Sequence, residues 1–289
     1  MTRVFAAPAA PTSAPARPRA EAGGHALRPA VWRGGRAVTA GRLGLGALAG
    51  VALTCLAGST AGAAVMAAGN GIDSLTASQA IAASATALKA EPDILISGTI
   101  TESGKSVGID VEASHKGADA AGRIDSQSKA IGFVGTIGFV TLPGKLFIDG
   151  GAALWTQAFA GSGLTAAQEA KLVHLVANHW VELTGSDAKS FAGGLGSLTD
   201  PAQLAAALTT GNGKLTKGAP TVVRHESVLP ITSSKGGTLY LALDGPPVPV
   251  ELISTIPSKK ADVTFEYPST LSIHAPSHFE TLAQIEAAV

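Results

Sequence analysis

Apolar residues recur along this chain in two rhythms. Over 75–90 (LTASQAIAASATALKA) the positions Leu75, Ala80 with Ile81, Ala85 and Leu88 form a stripe of helical period, and Pro92 ends it. Beyond it the period falls to two. Ile94, Ile96 and Ile100 share one face, and Ile109, Val111 and Ala113 lie opposite Asp110 and Glu112. Ile124 stands between Arg123 and Asp125. The run 131–140 puts Ile131, Phe133, Ile137 and Phe139 on one side and mostly small residues on the other. Pro143-Gly144 is a turn, and Leu146-Phe147-Ile148 opens the next strand. This is the pattern of an antiparallel meander.

Helical spacing then returns. Residues 152–159 (AALWTQAF) predict a short helix. Thr165 caps a second, with Glu169 near its start and Leu172, Leu175 and Val176 on one face. Trp180–Leu183 reverts to strand. Asp200-Pro201 opens a third helix, with Asp as cap and Pro at the first position, running to about Leu208. Strands are expected at 220–229, 237–243, 248–255, 261–267 and 270–274, and a helical tail at 277–287. Strands, then helices, then strands, with one apolar face throughout, predict an α+β fold. It is a single curved antiparallel β-sheet, a half-barrel, with helices packed on its concave face. Such a sheet offers an apolar space beneath its helices.

One stretch fits neither rhythm. Residues 43–72 carry no charged side chain, and Arg33, Arg36 and Arg42 precede them. With Ala61-Gly62-Ala63 this is the pattern of a secretory signal peptide. The expected organisation is a disordered Ala/Pro/Arg-rich leader over 1–42, a signal peptide or membrane-anchor segment over 43–63, and one domain over 64–289. The leader lacks the apolar mass to offset its chain entropy. A retained anchor is the alternative to cleavage, although Gly and Ala dominate the stretch where Leu and Ile would insert more firmly. The expected location is extracytoplasmic, secreted or attached to the outer face of the cell membrane.

That division changes the charge. The whole chain balances 21 basic against 21 acidic residues, but 1–63 hold seven arginines and one acid. Residues 64–289 keep 14 basic and 20 acidic residues, a net charge of −6. A mildly acidic domain is a poor partner for nucleic acid. Cys55, the one cysteine, allows no internal disulfide. It is a candidate lipidation site, or a small apolar filler removed with the signal.

The frames of catalysis are missing. His174 and His179 are five apart, about 140° around a helix, and do not share a face. No His-Glu-x-x-His and no Gly-x-Ser-x-Gly occurs, and the Gly132, Gly135, Gly138 series lacks a following Lys-Ser/Thr. No enzyme, metal or cofactor is expected. The aromatics around the helical insertion are better candidates. They have two readings, plain core or the wall of a space that acyl chains fill. The proposed lining is Ile131, Phe133, Ile137, Phe139, Phe147, Leu154, Trp155, Phe159, Leu172, Leu175, Val176 and Trp180. Each buried methylene contributes about 0.8 kcal/mol, so a long acyl chain binds without a polar motif.

Several segments resemble the actinobacterial lipoprotein family of LprG and LppX, which has the LolA-like half-barrel fold. They are the helix at 75–90, Lys145-Leu-Phe-Ile-Asp-Gly150 with Trp155 soon after, and Trp180-Val-Glu-Leu183. Gly237–Gly245 followed by Pro247-Val-Pro-Val-Glu-Leu, Val263-Thr-Phe-Glu-Tyr267 and Ile273-His-Ala-Pro276 complete the series, which spans most of 72–277. At Cys55 the family's lipobox is degraded, with Thr54 directly before the cysteine. The resemblance implies a non-enzymatic carrier of acylated lipids or glycolipids in the cell envelope. Its partners would be a membrane surface and a membrane transporter. The alternative is an envelope structural or protein-interaction module whose interior is a filled core.

Overall fold

The computed structural model describes residues 69–114, 119–127, 134–160, 163–185, 188–189, 195–196, 198–209, 213–256 and 259–288. The expected leader, the signal or anchor segment and Cys55 lie outside them. So do Ile131 and Phe133.

Helix α1 (Ala77–Ala90) starts at a capping box. The Gln79 amide donates to Thr76 Oγ1 at 3.3 Å, and the Thr76 amide donates back to Gln79 Oε1 at 3.0 Å. Its inward face is Ala80, Ile81, Ser84, Ala85 and Leu88. Five strands follow in a meander: β1 (Asp93–Glu102), β2 (Lys105–Ser114), β3 (Asp119–Ser126), β4 (Gly135–Leu142) and β5 (Lys145–Gly150). Then come α2 (Ala152–Phe159), α3 (Ala166–Val176), β6 (Val181–Thr184) and α4 (Pro201–Thr209). The second half holds β7 (Leu215–Lys217), β8 (Thr221–Val223), β9 (Glu226–Ser233), β10 (Thr238–Ala242), β11 (Pro249–Ile256) and β12 (Lys259–Glu266). The chain closes with β13 (Glu280–Thr281) and α5 (Leu282–Ala287).

All thirteen strands belong to one sheet, ordered β13-β6-β5-β4-β3-β2-β1-β12-β11-β10-β9-β7, with β8 also on β9. Every pairing is antiparallel except the two-residue one between β13 and β6. The two meanders join where β1 pairs β12, in the register Ile96 to Phe265 and Gly98 to Val263. The expected half-barrel is therefore present, built from two halves stitched at the middle.

The register sorts every strand into two faces. Ile96, Val111, Gly122, Phe139 and Ile148 stand in one row across β1 to β5, and Val181 and Phe265 extend it on either side. This is the concave face, and it carries the helices. Two glycines permit its curvature. A Cβ on Gly98, at φ 148°, would strike the Asp262 carbonyl oxygen and lie 2.7 Å from Val263 Cα. One on Gly122 would strike the Asp110 carbonyl oxygen. The strands approach there more closely than any side chain allows.

Several expected boundaries move. The strand of 131–140 starts only at Gly135 in the described residues, with φ 112° there. The expected strand at 220–229 is a hairpin, β8 and β9, turning at Arg224 and His225 with φ 51° and 68°. Both central residues of this tight turn are left-handed, yet no glycine or asparagine signals it. Lone β7 is too short to leave a periodic trace. No strand forms at 270–274. The alternating Leu271 and Ile273 are half-buried there on a strap without ladder partners. The terminal helix begins at Leu282, because Glu280 and Thr281 first pair with β6.

Candidate functional site

The concave face and the helices share one continuous apolar cluster. From the sheet it takes Ile137 and Phe139; from α2, Leu154, Trp155 and Phe159; from α3, Leu172 and Val176. All are buried, and Leu175 packs against them half-buried. The spacing of 3.6 on the helices and 2 on the strands is what brings these sets face to face.

Local geometry holds α2 in place. The Gly150 carbonyl, at the end of β5, accepts from Trp155 Nε1 at 3.1 Å and from the Asn178 amide at 2.8 Å. One oxygen thus anchors both the indole and the chain leaving α3. Trp155 and Phe159 stack with ring centroids 6.0 Å apart and an interplanar angle of 24°. At α3 the Thr165 hydroxyl accepts from the Gln168 amide at 3.3 Å. The capping partner is therefore Gln168, with Glu169 beside it in the first turn. At α4 the Asp200 carboxylate accepts from the Ala202 amide at 2.8 Å, as the Asp-Pro start predicts.

Phe147 and Trp180 stand apart from this group. Phe147 pairs in register with Val140 and Glu182, so its ring points to the convex face while Leu146 and Ile148 point inward. There it meets Phe279 edge-on, with centroids 4.9 Å apart. Trp180 lies over Gly138, where an added Cβ would come within 3.3 Å of the indole, and Gly138 also faces outward. The strand period assigns both faces correctly once the register is known, but closeness in sequence does not.

The interior draws on more of the chain than the insertion. Ile81 and Leu88 of α1, Leu204 and Ala205 of α4, and Leu195 and Leu198 before it all join the cluster. The stripe on 75–90 signals the first pair; nothing in the sequence places α4 against α1, where it packs. Among these apolar groups lies one polar side chain of α1, Ser84, 1% exposed.

The convex face has different chemistry. Glu112 and Asp110 project from it, and burial with the nearby Asp110 charge raises the Glu112 carboxyl above its ordinary value. The strap after β12 crosses this face. Buried Asp93 accepts from the Leu271 amide at 3.0 Å, and Phe279 covers Phe147. Tyr267, at the start of the strap, donates from its hydroxyl to the Pro249 carbonyl at 2.8 Å. Burial first, then the charges of Glu91 and Glu226, push its phenol well above the ordinary value. Chain and sheet meet again past the β6 edge, where Ile285 of α5 returns to the concave cluster.

Among the described residues, no group of three or more His, Cys, Asp or Glu is placed to hold a metal ion. No described helix is long and apolar enough to cross a membrane. His174 and His179 are both exposed.

No protein-family model matches this chain, and no curated protein matches it in sequence. Among solved structures, it is similar to LprF from Mycobacterium bovis, with a TM-score of 0.44 and 11% identity over 70% of this chain and 97% of that one. It is similar also to the lipoprotein LppX from Mycobacterium tuberculosis, with a TM-score of 0.42 and 14% identity over 68% of this chain and 98% of that one.

Proposed function

We propose that this protein is an exported, non-enzymatic lipid carrier of the cell envelope that holds acyl chains between the concave sheet face and helices α1 to α4. The observation that carries this reading is the single apolar interior running from α1 and α4 across the sheet to α2 and α3. A surface of that extent offers hydrophobic transfer energy to any long chain admitted between the layers. The helices that cover it take no part in the strand ladder, so displacing them breaks no strand pairing. The signal-like stretch before residue 64 supports work outside the cytoplasm.

The test sets a carrier against a filled core. Val176 is fully buried on α3. In a filled core, Val176→Phe overpacks and destabilises by about 1–3 kcal/mol. In a carrier it occupies space meant for lipid, leaving the delipidated fold nearly as stable and abolishing uptake of a fluorescent fatty acid. Denaturant unfolding beside that binding assay reads both quantities. Strong destabilisation, with no fatty acid bound by the unaltered protein, decides for a structural module. Organic extraction and mass spectrometry of the purified protein then identify the natural ligand.

A further inference from the structure

Helix α1 presents Ala80, Ile81, Ser84, Ala85 and Leu88 inward, and four of these five are apolar members of the interior cluster. Ser84 is as enclosed as they are, at 1% exposure. Its hydroxyl has no hydrogen-bond partner. Buried polar groups are nearly always satisfied, so an orphaned hydroxyl needs an explanation. The ordinary remedy inside a helix is to bond back to the carbonyl one turn earlier. That remedy is used two residues away, where the Thr86 hydroxyl donates to the Ala82 carbonyl at 3.0 Å. It is used again before α4, where Thr199 donates to the Leu195 carbonyl at 3.2 Å. Ser84 does not use it. The side chains beside it on the same face, Ala80, Ile81, Ala85 and Leu88, carry no acceptor.

We infer that Ser84 is the polar anchor of the interior, donating to the carbonyl of an ester-linked acyl chain held against α1. This rests on the lipid-carrier reading and narrows its ligand class: a lipid whose acyl ester is drawn inside, rather than any apolar chain. A site built to hydrogen-bond a group discriminates against the analogue lacking it, because its own polar atom is then left unpaired. Ala80 and Ala85 beside it carry only methyl groups, the smallest side chains a ligand held against this face would meet.

Two probes isolate the carbonyl: 1-monopalmitoylglycerol, which has it, and the ether 1-O-hexadecylglycerol, which lacks it. Each is titrated against a bound fluorescent fatty acid on the delipidated full chain and on Ser84→Ala. The unaltered protein is expected to prefer the ester by about fivefold to tenfold, the range of one buried hydrogen bond. Ser84→Ala should bind both as the unaltered protein binds the ether. Alanine favours the helix, so the variant retains its fold, checked by its unfolding midpoint. Equal affinity for ester and ether in the unaltered protein overturns the inference, with an internal water then satisfying the hydroxyl. So does an ester preference that survives in Ser84→Ala. If the unaltered protein binds the fluorescent fatty acid yet Ser84→Ala keeps the preference, the carrier reading stands and only the anchor falls. If it binds no lipid, both fall.

Discussion

The two faces of the sheet are made by the same strands yet stabilised in different ways. Toward the helices, every strand along the sheet from β6 through β1 and β12 to β9 contributes to one apolar layer, and burial is shared over many residues. Away from them the face is mixed. Asp110, Arg123, Asp125 and Glu112 occupy its middle, and apolar contact is confined to a few places. One is Phe147 beneath Phe279. Another is the smaller cluster of Val228, Ala242, Val248 and Val250, against which Tyr267 packs. Burial spread over a layer can be rearranged locally, whereas burial concentrated on one or two rings cannot. On the proposed reading, the concave side is the one that exchanges its own contacts for a ligand's, and the convex side is the frame.

The largest expected effect tests the frame. Phe147→Ala removes a fully buried ring and the edge-on contact with Phe279, and is expected to cost about 3–5 kcal/mol. Because Phe147 points away from the helices, fatty-acid affinity per folded molecule should stay unchanged. A loss of affinity larger than the loss of folded protein, measured in the same sample, would erase the distinction between the faces.

Gly98→Ala probes what the faces share. A Cβ there runs into the backbone of β12 at a φ of 148°, so the sheet must flatten or the strands part. The expected cost is about 1–3 kcal/mol. Flattening should also weaken lipid uptake, since the concave space depends on curvature. Unchanged stability in denaturant would show that curvature does not depend on this glycine.

The smallest effect concerns the strap. Tyr267→Phe deletes the hydrogen bond to the Pro249 carbonyl and should cost about 1 kcal/mol at neutral pH. Its pH signature is sharper. The folded phenol titrates well above its ordinary value, so between that value and the folded one the native state holds a proton that the unfolded chain has released. Stability is complete below about pH 10, the ordinary phenol value, and falls as pH rises beyond it. Tyr267→Phe should remove that component of the fall. Parallel stability curves for the two proteins above pH 10 would mean the phenol is not buried as described.

Much of this architecture is legible in the residues, because it depends on local periods and caps. The inward row of Ile94, Ile96, Ile109, Val111, Ile137 and Phe139 follows from alternation. The starts of α3 and α4 follow from Thr165 and Asp200, whose side chains close the first turn wherever the chain is placed, while α1 begins at Ala77, inside the expected stretch of 75–90, with Thr76 as its cap. Leu154, Trp155, Phe159, Leu172 and Val176 follow from the helical period, and they belong to the same apolar cluster as Ile137 and Phe139.

What the sequence could not determine depends on partners remote along the chain. Phe147 and Trp180 look like members of the same aromatic group as Trp155, yet register turns them outward. The pairing of β1 with β12 joins residues 167 apart, as in the hydrogen bond between Ser97 and Thr264, and no local pattern specifies it. Residues 270–274 of the strap alternate like a strand, but a strand exists only where a neighbour supplies its ladder, and none does. Ser84 reads as an ordinary helix residue; only when α1 is laid on its neighbours is its hydroxyl sealed from water. Local spacing determined which side chains face together along each element, because backbone geometry alone sets those periods. The tertiary structure decided which faces meet, because that is set by long-range strand pairing and by the burial it makes available.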